Sequence, residues 1–243
     1  VHVKLDTGMG RLGLLPNQVE GVFQQLVTLS HLEIEGLMTH FSMADTDPDF
    51  TAKQLVIFKE CLASVRAMGV DVRYVHTSNS PATIGVKDDV FNLVRPGLLL
   101  YGLQPSQSRR LDGLQPVMSW KTVVAQVKTL PSQSTIGYGN TYRTQGEEVI
   151  AVIPVGYADG LRRAPKTWRE VLIRGQRAPI VGRVSMEKTT VNVTHIEGVS
   201  VGDEVVLLGQ QGDDAITADD VAGWWGTINY EVVTSILPRV PRV

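Results

Sequence analysis

The 243-residue chain lacks several features that would direct a functional reading elsewhere. Its only cysteine is Cys61, so no internal disulfide can form, which fits a reducing compartment. It has no basic stretch. Ten basic and 12 acidic residues fall in 1–115, 13 of each in 116–243, and the net charge is -2. Nothing here tracks a phosphate backbone, which argues against a nucleic-acid partner. No long apolar run is present either: the longest, around residues 149–158, contains Pro154 and is too short for a membrane span. With no signal-peptide pattern, a cytoplasmic location is expected. Repeats and low-complexity segments are absent. So is an initiator methionine: the chain opens inside a strand-like run, Val1-His2-Val3-Lys4-Leu5, and reads as part of something longer.

The length allows one large domain or two moderate ones, with 43% hydrophobic residues to build cores. Residues 1–103 alternate short apolar runs with helical spacing. Strands are expected at 1–5, 33–39, 72–77 and 92–101, and helices at 16–29, 51–68 and shortly after Asn79. Alternation of this kind predicts an α/β unit with a parallel sheet. Polar residues at each strand end are a habit of (β/α)8 TIM-type barrels, of which four strands make half. After a polar segment at 104–113 the pattern turns all-β. Strands are expected at 120–130, 149–154, 170–173, 180–184, 189–193 and 204–208, with helices after the N-cap Thr217 and around 229–237. The division predicted is 1–115 and 116–243.

Several short segments could carry chemistry. Asp6-Thr7-Gly8-Met9-Gly10-Arg11 is a glycine-bearing loop that delivers an arginine, though a simple turn with a surface arginine explains the same letters. His40 closes the second strand, and a structural histidine would suffice there. His76-Thr77-Ser78-Asn79-Ser80 closes the third and precedes a helix, offering either an anion site or a plain N-cap. Arg95, in Val94-Arg95-Pro96-Gly97-Leu98, is costly to bury without a partner. Tyr138 sits between Gly137 and Gly139, and Tyr157 follows Gly156 in a similar segment. Read from the residues alone, these give an anion-binding half-barrel with an appended β-domain.

Taken together, the segments resemble the alanine racemase family. The resemblance rests on Lys4-Leu5-Asp6-Thr7-Gly8-Met9-Gly10-Arg11, Thr39-His40-Phe41, Asn79-Ser80, Val94-Arg95-Pro96-Gly97, Gly137-Tyr138-Gly139, Gly156-Tyr157-Ala158-Asp159-Gly160, Gly182-Arg183-Val184-Ser185-Met186 and the terminal Arg-Val-Pro-Arg-Val. It implies the C-terminal half of a (β/α)8 barrel, holding pyridoxal 5'-phosphate, followed by a β-rich domain that completes the partner's site in a homodimer. The activity implied is interconversion of L- and D-alanine, supplying D-alanine for peptidoglycan of the cell wall.

By resemblance, Tyr138 is the catalytic tyrosine contributed across the interface. Arg95 bonds the pyridine nitrogen, His40 stacks near the cofactor, and Arg11 reaches the phenolic oxygen and the substrate carboxylate. Lys4 matches a lysine often carbamylated in the family. Ser80, Gly97, Leu98 and Tyr230 match the phosphate cradle, with Asn79 beside it. Met186 matches the backbone donor to the substrate carboxylate, and Tyr157 and Arg163 match entry-channel residues. No metal is expected.

The implied chemistry needs two bases, one on each face of Cα. A free phenol, with a pKa of roughly 10, is a poor base at neutral pH, and cations such as Arg11 would favour its phenolate. Arg95 cannot readily give up its proton, so it would donate to the ring nitrogen and disfavour pyridinium. Two departures stand out. None of the eight lysines sits in the family's motif for the cofactor-bonding lysine, so the 243 residues alone are expected to be inactive. Glu187 stands where the family commonly has aspartate. Racemisation of serine or other small amino acids, and a non-catalytic phosphate-binding or assembly module, remain alternatives.

Overall fold

Three strands set the first unit: β1 (His2–Lys4), β2 (Gly36–Met38) and β3 (Tyr74–His76), parallel and in the order β1-β2-β3. The structure is a computed structural model and describes residues 1–88 and 91–243. Register places Val3, Leu37 and Val75 in one row, flanked by a row of His2, Gly36 and Tyr74 and a row of Lys4, Met38 and His76. Because side chains alternate across a strand, the apolar row faces one way and both flanking rows the other.

The apolar face is covered by α1 (Val19–Leu26) and α2 (Pro48–Ala67). Leu37 and Val75 are buried there with Phe23, Phe58, Leu62 and Val65. Each such side chain stabilises the fold by roughly 1.5–3 kcal/mol. Cys61 joins this core, and burial pushes its thiol pKa up. Helix α2 starts where it does because Asp47 accepts from the Phe50 amide at 2.8 Å, with Pro48 in the first turn. The opposite face carries His2, Lys4 and His76. Gly36 is required beneath the His2 imidazole: an added Cβ would lie 2.6 Å from that ring.

The fourth expected strand, 92–101, does not form. Arg95 N–H still bonds Ser78 O at 3.0 Å and Asn92 N–H bonds Val75 O at 3.2 Å, so the segment runs beside β3. Yet the Val75 amide donates to the Asn92 side chain rather than to a carbonyl, and Pro96 has no N–H to continue a ladder. Residues Leu98–Tyr101 turn into a 3-10 helix instead. The short helix α3 (Ser80–Gly85) is capped by Asn79.

The chain divides into two compact units, Val1–Gln115 and Pro116–Val243. The second is mostly antiparallel sheet. Strands β4 (Trp120–Val123) and β5 (Gln126–Leu130) replace the single strand expected at 120–130. Strand β4 pairs with β12 (Glu204–Gln211), whereas β5 pairs with β8 (Glu148–Ile153). The crossing from one sheet to the other occurs at Val124–Ala125, whose amides bond Asp203 O and Val152 O. Strands β9 (Glu170–Ile173), β10 (Gln176–Pro179) and β13 (Asp214–Ile216) complete the β12 sheet, and β11 (Thr189–Asn192) flanks β8.

Residues 180–184 are not the strand expected. Ile180 makes a lone bridge to Val191, and Gly182 adopts φ 75°, which ends the pairing. Helices α4 (Ala218–Trp225) and α5 (Asn229–Thr234) close the unit. Thr217 caps α4 in a reciprocal box with Asp220. Trp168, fully buried, makes edge contacts with Trp120, Trp224 and Trp225. Among the described residues, no helix is long and apolar enough to cross a membrane.

Candidate active site

The polar face of the parallel sheet and the loops at its C-terminal ends gather most of the charged candidates of the first unit. Arg95, half-buried, donates from Nη2 to Thr39 O at 3.0 Å and Thr77 O at 3.2 Å, and meets His40 Nδ1 at 3.4 Å. Its Nη1 lies 2.7 Å from His76 Nδ1. The guanidinium can only donate, so His76 Nδ1 accepts and the imidazole proton sits on Nε2. That Nε2 lies 2.7 Å from His2 Nδ1, which must then accept. His2 Nε2 in turn lies 3.8 Å from the Glu35 carboxylate. A polar chain therefore runs Glu35–His2–His76–Arg95 beneath the site.

The electrostatics follow from this packing. Burial, then Arg95, then His2, hold the His76 pKa down to about 4, so it is neutral at physiological pH. The His40 pKa is lowered as well, first by burial and then by Arg95, Arg11 and Lys4. The Lys4 ammonium is pulled down by burial and Arg11, while Asp6 opposes the shift. Lys4, Arg11, His40 and Arg95 thus share one electropositive cluster.

The loop that carries Arg11 is organised by Asp6, whose Oδ1 accepts from the amides of Gly8, Met9 and Gly10 at 2.9–3.0 Å. These bonds hold its carboxyl pKa below the usual range. Leu14 N–H to Lys4 O and Asp6 N–H to Leu14 O close the loop, leaving Arg11 exposed at its tip. His40 is braced by Gln54, a fully buried residue of α2, which donates to His40 O and Thr7 Oγ1. Sequence reasoning missed Gln54; an amide at a buried helical position was the available signal.

Ser80 Oγ, buried, accepts from Gly97 N–H at 3.0 Å and Leu99 N–H at 3.5 Å. Leu98 N–H makes no hydrogen bond among the described residues. Asn79 has both ends of its amide engaged, accepting from Ala82 N–H and donating to Phe41 O, so it shapes the turn.

In the second unit, Tyr138 sits at the tip of a hairpin between β6 (Thr135–Ile136) and β7 (Tyr142–Arg143), 66% exposed. The Arg163 guanidinium lies 5.8 Å from the Tyr138 ring centroid, and Arg163 donates to Val184 O at 3.0 Å. This connects the hairpin tip to the Met186 segment. Tyr157 N–H bonds Ser185 O, and Ala158 N–H bonds Met186 O. Gly156 permits this approach, since a Cβ there would meet Ser185 O at 2.2 Å. The Met186 N–H makes no hydrogen bond among the described residues. Tyr230 lies in the first turn of α5, away from this group in sequence but within the same unit.

The hairpin is anchored from below by Glu148, a second residue that sequence reasoning missed. Its carboxylate accepts from Tyr142 OH at 2.8 Å, Asn192 Nδ2 at 2.8 Å and Gln145 N–H at 2.9 Å. Burial and then this bond raise the Tyr142 pKa. A buried acid heading an otherwise apolar strand was the clue.

Comparison with known proteins places this geometry. Residues 1–105 match the family described as alanine racemase, N-terminal domain, and residues 117–243 match alanine racemase, C-terminal domain. The alanine racemase of Halothermothrix orenii is 46% identical over 245 residues, covering all of this chain and 64% of that protein. That of Carboxydothermus hydrogenoformans is 43% identical, with all of this chain and 66% of the relative covered. The crystal structure of alanine racemase from Bacillus anthracis with bound L-Ala-P superposes with a TM-score of 0.92 at 42% identity, covering 100% of this chain and 63% of that one. The chain thus spans just under two thirds of the length of these relatives.

Proposed function

Since the chain belongs to the alanine racemase family, we propose that it supplies most of the active-site residues of an enzyme that interconverts L- and D-alanine with pyridoxal 5'-phosphate. The observation that carries this reading is the pair of guanidinium groups, Arg11 and Arg95, around the neutral-leaning His40, a setting for an anionic, planar ligand.

The residues present fit the cofactor. Arg95 Nε–H makes no hydrogen bond among the described residues, leaving a donor for a ring nitrogen. Thr77 Oγ1, buried beside it, likewise has no partner. Ser80 Oγ and the amides of Gly97 and Leu98 are suited to a phosphate. When bound, pyridoxal phosphate supplies an electron sink for the negative charge left at Cα. Arg95 keeps its own proton, so it would offer a ring nitrogen a hydrogen bond and no proton. His40, neutral, offers its flat face. Arg11 neutralises a substrate carboxylate, which Met186 N–H would also bind.

Proton movement at Cα is assigned to Tyr138 on one face. The base for the other face is a lysine outside these 243 residues, because no lysine here stands in the expected motif. A homodimer accounts for the exposure of Tyr138, Met186 and Tyr157, which would meet the partner's cofactor. A lowered Lys4 pKa leaves more free amine, as carbamylation requires. Tyr157 and Arg163 would narrow the entrance.

The test is alanine racemisation, with serine as control. It is run on the 243 residues alone and on the chain joined to the N-terminal segment of the Halothermothrix orenii relative. Activity is expected only in the joined protein, with alanine preferred. Failure of that protein, folded and loaded with cofactor, on both amino acids would overturn the assignment.

A further inference from the structure

The C-terminal segment folds back onto the Met186 turn. Leu237 N–H bonds Asp159 O at 3.0 Å. Arg242 stiffens the segment from within, donating to Ile236 O, Leu237 O and Val240 O at 2.6–2.8 Å. Arg239 is thereby aimed at two carboxylates at once. Its Nε lies 3.0 Å from Asp159 Oδ1, and its Nη2 lies 3.0 Å from Glu187 Oε1.

These two acids do different work. Asp159 is mostly buried, and its other oxygen accepts from Gly156 N–H at 2.8 Å, fixing the 156–160 loop. Glu187 is exposed and makes no such backbone bond. It directly follows Met186, whose amide has no hydrogen bond among the described residues while its carbonyl is held by Ala158. The turn itself is set by Ser185 N–H to Lys188 O at 2.9 Å, so Met186 keeps its place without Glu187.

We propose that Arg239 is a positioning residue for substrate binding: it draws the Glu187 carboxylate toward the tail and neutralises it, so that a substrate carboxylate can approach the Met186 amide. This rests on the reading of Met186 as the carboxylate donor. An anion one residue away from that donor repels another anion unless it is compensated. The longer reach of glutamate over aspartate suits the distance to the tail arginine.

The experiment uses the cofactor-loaded, full-length dimer carrying Arg239→Gln, Glu187→Gln, or both. KM and kcat for alanine, the dissociation constant of propionate by calorimetry, and thermal midpoints are measured at low and high salt. Arg239→Gln is expected to raise KM and the propionate constant by about fivefold at low salt, the scale of one lost exposed ion pair. The kcat should stay within about twofold, and the effect should shrink at high salt. The double variant should return both constants toward those of Glu187→Gln. A KM rise that persists in the double variant would mean that Arg239 only anchors the tail. Unchanged KM and propionate binding in Arg239→Gln would also overturn the proposal. Absence of racemisation in the unsubstituted enzyme would instead refute the family activity, a different result.

Discussion

Arg95 Nη1 lies 2.7 Å from His76 Nδ1, and this single contact fixes the tautomer of every imidazole behind it. Because the arginine donates, His76 must accept there and pass its own N–H to His2. The arginine expected to face the cofactor is thus held from behind by a neutral, directional relay that ends near Glu35.

His76 should make stability depend on pH. In the unfolded chain it takes up a proton near pH 6.5; in the fold it does so only near 4. Between those values the unfolded state binds more protons, so stability is full above the upper value and falls as pH drops toward the lower. The loss is at most about 3 kcal/mol. Urea unfolding of the full-length protein from pH 4.5 to 7 should show a shallower slope for His76→Gln. An identical slope would refute the assignment of a neutral His76.

Tyr138→Phe removes the proposed proton carrier while keeping the ring against Arg163. The kcat should fall by about 10²–10⁴, with little change in KM. Solvent-deuterium incorporation at Cα, followed separately from each enantiomer, should decline more in one direction. Equal and small losses in both would leave Tyr138 without a chemical role.

Glu148→Ala strips the Tyr142 hydroxyl and the Asn192 amide of a shared buried acceptor. A destabilisation of about 1–3 kcal/mol is expected, read as a lowered denaturation midpoint. Because β7 carries Tyr142, the Tyr138 hairpin should loosen too, and kcat should fall more than cofactor binding does.

Lys4 should react with carbon dioxide, its free amine attacking carbon and releasing a proton as the carbamate forms. Labelled bicarbonate should give a carbamate carbon resonance that is absent from Lys4→Arg. A spectrum without that resonance at alkaline pH would dismiss the modification.

The parts of the candidate site legible in the sequence were those whose local backbone requires a fixed residue. The Asp6 loop, Asn79-Ser80, the glycines on either side of Tyr138 and Gly156 before Tyr157 all carry their backbone demands in their letters. The fold was less legible where one interaction stands in for another. Residues 92–95 alternate like a strand, but Asn92 replaces a carbonyl with its own amide oxygen, and Pro96 follows. The break between β4 and β5 falls in Val123-Val124-Ala125, with no glycine or proline to mark it, because a change of sheet needs only a change of partner. Gln54 and Glu148 escaped notice since their importance lies in what they brace, which no local pattern records.

The crossing at Val124–Ala125 has a consequence for how the second unit comes apart. Consecutive amides there are tied to different sheets, Val124 to Asp203 O and Ala125 to Val152 O, while Gly202 N–H returns to Val124 O. Neither sheet can peel away without straining the other through one peptide unit. Amide hydrogens on β5, β8 and β12 should therefore exchange with solvent in a single opening event of common free energy, with the Tyr138 hairpin tip exchanging well before them. The scaffold would behave as one cooperative block, and the Tyr138 tip as its loose end.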